Sequence, residues 1–169
     1  PRADALSDET ARQIREFVAN GGLVIADVRP AVFDHHCKPR TQGALDSLFG
    51  IRRKQLAAEM KTGNSAAFRS VRLDASVAAD GGEPGARVEE LPLLIRKPVG
   101  AGAAILLNMD FDSFARFAFP ETEEPSFAWL ARALAAHGVE PALHLRTSEG
   151  DREPNAEITR WQNGDAQLV

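Results

Sequence analysis

Two short, unbroken apolar runs constrain this chain more than any other feature. They are Leu23-Val24-Ile25-Ala26 and, far along the chain, Ala103-Ala104-Ile105-Leu106-Leu107, which continues through Asn108 to Met109. Each is too short for a globular helix and has no polar residue alternating with its apolar ones. Such a run fits a strand covered on both faces, as in a parallel sheet under helices. Glycines punctuate the approach to both: Asn20-Gly21-Gly22 before the first, Gly100-Ala101-Gly102 before the second. Ahead of the first run the pattern is helical. Ser7 is a good N-cap, Asp8 and Glu9 suit the positive end of the helix dipole, and Ala11, Ile14, Phe17 and Val18 recur at helical spacing. The glycine pair then ends that helix in a left-handed cap.

The rest of the chain supplies further elements. Residues 32–42 read as a polar loop. Residues 43–49 read as a short helix with Leu45, Leu48 and Phe49 apolar and Gly50 as its cap, and residues 66–73 as a strand. Residues 79–85 are rich in turn formers. Residues 91–97 and 103–109 look like paired strands about the Gly100-Ala101-Gly102 turn. Residues 125–137 form the strongest helix signal, with Pro125 near its start, Phe127, Leu130, Ala131 and Leu134 apolar, and Gly138 past its end. Residues 158–161 and 166–169 flank Asn163-Gly164-Asp165, a hairpin signal. Helices alternating with buried strands predict an α/β domain over residues 1–140, a linker over 141–155 and the start of a separate β element over 156–169. At 169 residues such a domain can bury about 70% of the surface its unfolded chain exposes. A start at Pro1 without methionine and a stop at Val169 inside a hairpin strand read as an excised segment.

Charge and composition exclude several functions. The net charge is −4 and the basic residues are scattered among acids, so no basic face for nucleic acid is expected. The longest basic run, Arg52-Arg53-Lys54, reads as a solvated corner. No apolar run approaches the roughly 18 residues of a membrane span, and no basic segment followed by an apolar one opens the chain. A soluble protein without membrane partner is expected, its compartment left open. Cys37, as the single cysteine, excludes an internal disulfide.

Four stretches in order carry a resemblance. Residues 7–22, ending Phe-Val-Ala-Asn-Gly-Gly, residues 23–40 (LVIADVRPAVFDHHCKPR), residues 44–51 (ALDSLFGI) and residues 99–110 (VGAGAAILLNMD) resemble the trimerisation domain of β-galactosidases of glycoside hydrolase family 42. Asp34 stands where that family's loop has its aspartate, and Ala31 where a glycine is common. The resemblance implies a flavodoxin-like fold, similar to class I glutamine amidotransferases: a mostly parallel sheet with flanking helices, here a partial domain. It also implies a non-catalytic assembly or accessory role in a larger glycoside-hydrolase-like protein of carbohydrate metabolism. The implied partners are the parent's own catalytic domain and further copies of itself, with carbohydrate nearby.

The residues offer limited chemistry beside that. Asp27 and Asp110 each follow a predicted central strand, with Asp112 close by. In open α/β sheets ligands bind beyond the carboxyl ends of strands, so Asp27 and Asp110, with Arg29 and Asp34 at the rim, could line one crevice. Paired carboxylates there could act as acid and base or hold a cation, which makes a ligand-binding or hydrolytic domain the alternative; strand-ending turns are the structural explanation. The run Asp34-His35-His36-Cys37 contains metal-ligand types, but a zinc site needs about four ligands and His137 and His144 add no second pair. No metal, no cofactor and no catalytic residue are expected. Gly100-Ala101-Gly102 precedes a strand rather than a helix and lacks a phosphate-loop lysine, so a turn explains it. Phe111, Phe114, Phe117 and Phe119 read as core or interface packing.

Overall fold

The computed structural model describes residues 3–56, 59–64, 71–110, 128–140, 146–150, 161–164 and 166–168. The chain divides into two compact units, Pro1–Pro120 and Glu121–Val169. In the first unit, α1 spans Asp8–Ala19, and Ser7 caps it as expected, its Oγ accepting the Thr10 N–H at 3.0 Å. β1 (Leu23–Ala26) follows directly. The next helix, α2 (Asp46–Phe49), is one turn long, because Gly50 takes the left-handed conformation at φ 65° and ends it. Seven further strands lie among the described residues of this unit: β2 (Ile51–Arg53), β3 (Met60–Gly63), β4 (Val71–Asp74), β5 (Val77–Ala79), β6 (Glu83–Val88), β7 (Leu91–Val99) and β8 (Gly102–Leu107).

β1, β8, β7 and β6 lie in that order in one sheet. β1 runs parallel to β8, with Leu23 opposite Ala103 and Ala26 opposite Leu106. The β7–β8 and β6–β7 pairs are antiparallel. β2 pairs with β5 and β3 with β4, both antiparallel. The expected flavodoxin-like, mostly parallel sheet with flanking helices is therefore not what forms. Among the described strands, β1–β8 is the single parallel pair. The physical reason lies in the connections: a parallel neighbour needs a crossover of a dozen or more residues, whereas β7 turns into β8 through Gly100-Ala101 alone.

β8 is buried on both faces, and the largest core cluster lies on one of them. Val24, Ala26, Ile95, Ala104 and Leu106 pack there against Ala11 and Val18 of α1, and Leu45, Leu48 and Phe49 at α2. The β7–β8 turn meets the end of α1 at close range. Ala101 N–H donates to the Ala19 carbonyl at 3.1 Å, satisfying one of the helix's last acceptors. A Cβ on Gly102 would be driven into the carbonyl oxygens of Val18 and Gly22. The glycines thus serve close approach, the turn role expected of them.

In the second unit, α3 covers Ala128–Ala135. Gly138, at φ 71°, ends its last turn, and Val139 N–H reaches back to the Leu134 carbonyl at 3.0 Å. β9 (Trp161–Asn163) and β10 (Ala166–Leu168) form the expected hairpin, closed by Asn163 opposite Ala166, with Gly164 at φ 58°. The expected helix start at Pro125, the phenylalanine cluster at 111–119, and most of the expected strand over 66–73 lie outside the described residues. Among those described, no helix is long and apolar enough to cross a membrane.

The α1 contact yields a prediction. Gly102→Ala lowers the unfolding free energy by about 1–3 kcal/mol, the usual cost of overpacking, read by urea denaturation. Gly138→Ala, with nothing within 4 Å of the added methyl, carries the left-handed backbone strain alone, about 1 kcal/mol.

Candidate functional site

The carboxyl ends of β1 and β8 point the same way, as their parallel register requires. Asp27 follows β1 and is half-buried. Asp110 lies beyond β8 and is 3% exposed. Its position is set by backbone pairing: Asn108 N–H donates to the Leu93 carbonyl at 2.7 Å, and Asp110 N–H to the Arg72 carbonyl at 2.9 Å. The Arg72 guanidinium, half exposed, stands 3.5 Å from Asp110 Oδ2, the outer limit of a hydrogen bond. Between them, fully buried Asn108 donates both Nδ2 protons, to the carbonyls of Asp74 (3.1 Å) and Pro92 (2.9 Å).

Arg29 leads into a charged cluster that the sequence reading did not foresee. Its Nε donates to Asp74 Oδ2 at 3.0 Å. The same oxygen takes Arg53 Nη1 at 3.0 Å, while Asp74 Oδ1 accepts from Ser76 N–H at 2.9 Å and Ser76 Oγ at 2.6 Å. Arg53 Nε donates to Asp46 Oδ1 at 3.1 Å, and its Nη2 to the Val28 carbonyl at 3.1 Å. Asp46 Oδ2 in turn accepts the Gly43 N–H at 3.1 Å. The side chains of Arg53, Asp46 and Asp74 are at most 1% exposed. Arg52-Arg53-Lys54 is therefore not a solvated corner throughout: Arg52 and Lys54 are exposed, but Arg53 is a core ion. A signal was present, since strand alternation places Arg53 on the same face as Ile51, which is 2% exposed. Asp74 and Asn108 carried none, because the arginines that reach Asp74 and the carbonyls that Asn108 reaches come from distant parts of the chain.

Asp34 sits in a tight turn of its own. Its Oδ1 accepts the N–H groups of His36 (2.8 Å) and Lys38 (2.9 Å), and Cys37 takes a left-handed φ of 60° at the turn's apex. The Lys38 N–H, foremost, and then the His36 N–H and the neighbouring imidazoles hold the Asp34 carboxyl below its ordinary range, against a smaller opposing effect of burial. His35, His36 and Cys37 are exposed, with the two imidazole rings 3.9 Å apart. Among the described residues no group of three or more His, Cys, Asp or Glu side chains is placed to hold a metal. Asp112 lies outside the described residues. The structure thus puts Asp27 and Asp110 at adjacent strand ends, turns Arg29 to Asp74, and commits Asp34 to its own loop.

Chemically, the Arg53 cluster is saturated. Every carboxylate oxygen of Asp46 and Asp74 already accepts a hydrogen bond, and the guanidinium of Arg53 is shared among three partners. Carboxylates held in this way tie segments of the chain together.

No protein-family model and no curated protein matches the chain. Solved structures do. A GH42 β-galactosidase from G. stearothermophilus is similar over 85% of this chain and 22% of its own, at 17% identity and a TM-score of 0.57. A β-galactosidase from Bacillus circulans sp. alkalophilus is similar over 92% and 25%, at 16% identity and 0.57. A polyextremophilic β-galactosidase from the Antarctic haloarchaeon Halorubrum lacusprofundi is similar over 82% and 21%, at 18% identity and 0.58. The chain spans about a quarter or less of the length of these proteins, and the likeness is one of fold.

Removing one partner of a buried ion pair leaves the other uncompensated. Arg53→Met is expected to cost about 3–5 kcal/mol of stability in chemical denaturation. Arg52→Met, on the same strand but exposed, changes it by less than about 0.5 kcal/mol.

Proposed function

We propose that this chain is a non-catalytic assembly or accessory domain of a larger, β-galactosidase-like glycoside hydrolase. The observation that carries the reading is the lopsided coverage: most of this chain is similar in fold to about a fifth to a quarter of each β-galactosidase chain. The saturated Arg53 cluster supports it, since the most buried charges are spent on holding segments together rather than left for substrate. The residues 7–22, 23–40, 44–51 and 99–110 that resemble the trimerisation domain support the finer reading of an oligomerising role. In that role the domain's partners are the parent's catalytic domain and other copies of the same chain. Carbohydrate is bound and cleaved elsewhere in the parent, and this domain contributes through assembly.

Light scattering on the longer hydrolase, with and without this domain, tests the proposal. The assembly role predicts that deletion lowers the mass from an oligomer to a single chain while the catalytic part stays folded by circular dichroism. An unchanged oligomeric mass overturns it.

A further inference from the structure

Two of the chain's four histidines, His35 and His36, are neighbours in sequence, and their exposed rings stand 3.9 Å apart at a tilt of 42°. The backbone beneath them is ordered by its own bonds. Asp34 N–H donates to the Lys38 carbonyl and Cys37 N–H to the Asp34 carbonyl, each at 2.9 Å. Asp34 Oδ1 takes the N–H groups of His36 and Lys38. Phe33, at the base of the turn, bridges to Ala5 on one side and to Pro39 on the other. Arg40 fastens that base, donating from Nε to the Phe33 carbonyl at 3.3 Å and from Nη2 to the Leu6 carbonyl at 2.8 Å. The turn is thus held without either imidazole.

We propose that His35 and His36 together bind a late first-row divalent ion, Ni(II) or Cu(II), through one nitrogen of each imidazole, with water completing the coordination. Imidazole suits both ions, and both accept oxygen ligands in their remaining positions. Distance supports the pairing. Imidazole nitrogens sit about 2 Å from an ion of this size, so two of them on one ion stand no more than about 4 Å apart. Rings whose centres are 3.9 Å apart reach that span by turning about their own Cβ–Cγ bonds. Because the turn is already set, binding orders side-chain torsions alone, and that small entropic cost favours it. The Asp34 carboxyl, held below its ordinary range, keeps a negative charge at the base of the turn, which offsets the Lys38 cation beside it. Cys37 is exposed on the same turn, but among the described residues no three ligating side chains converge. The ion therefore sits in an open, exchangeable site, unlike the closed four-ligand cage of a structural zinc. This site is independent of the assembly role.

Calorimetric titration of the 169-residue chain with Ni(II) tests this. Electron paramagnetic resonance of Cu(II) on the Cys37→Ser chain, where no thiol can reduce the ion, counts the bound nitrogens. The expected results are a single Ni(II) per chain and a Cu(II) spectrum coupled to two imidazole nitrogens. His35→Ala and His36→Ala each weaken Ni(II) binding by about tenfold or more, at least what losing an outer partner of a metal ligand costs. Cys37→Ser and His137→Ala leave it unchanged. His35, His36 and Cys37 are exposed, so circular dichroism of those variants matches the parent chain. If the chain binds Ni(II) no more tightly than the His35→Ala, His36→Ala double variant, the binding is adventitious and the proposal is overturned. A Cu(II) spectrum with a single coupled nitrogen, or loss of Ni(II) affinity in Cys37→Ser, overturns it as well.

Discussion

The first unit depends on one buried guanidinium. Arg53, on β2, holds the Asp46 carboxylate of the preceding α2 and joins both to two distant pieces: the Asp74 carboxylate at the end of β4 and the Val28 carbonyl beyond β1. Taking these charges out of water is costly, and their attraction recovers the cost only because the geometry is complete. Ser76 and Gly43 fill the acceptor positions that the arginines leave. Asn108 adds a second tie, reaching from beyond β8 to the backbone of Asp74 and Pro92.

Around that fixed point the backbone is tightly fitted. Gly50, in the left-handed region, ends α2, and a Cβ there would strike the backbone of Gly82. Ala31 has a φ of 58°, in the region that glycine enters without strain. Its methyl is fully buried in the core, so packing offsets part of the backbone cost.

Local signals were legible and long-range ones were not. The Ser7 cap, the glycine stop after α1, the exact span of β1, the turn at Gly100-Ala101 and the Gly50 cap could all be read from neighbouring residues, because each is decided within a few positions. The sheet type could not be carried by the apolar runs. A continuous apolar strand is equally at home between a parallel and an antiparallel neighbour, and the short turn before β8 was the better guide. The candidate site shows the same division. Asp27 and Asp110 were visible as residues that end strands, whereas Asp74 gains its arginine partners only from folding.

Among the described residues, the buried charges hold the first unit together. That use of charge suits the proposed assembly role, whose central claim is that this domain does no chemistry of its own. The most direct test is the turnover of the β-galactosidase-like parent after Asp27→Asn and Asp110→Asn, which keep side-chain size at the strand ends. The account predicts kcat unchanged wherever the oligomer and its fold survive. A collapse of kcat in a folded, fully assembled variant would contradict it and return the strand-end carboxylates to the chemistry.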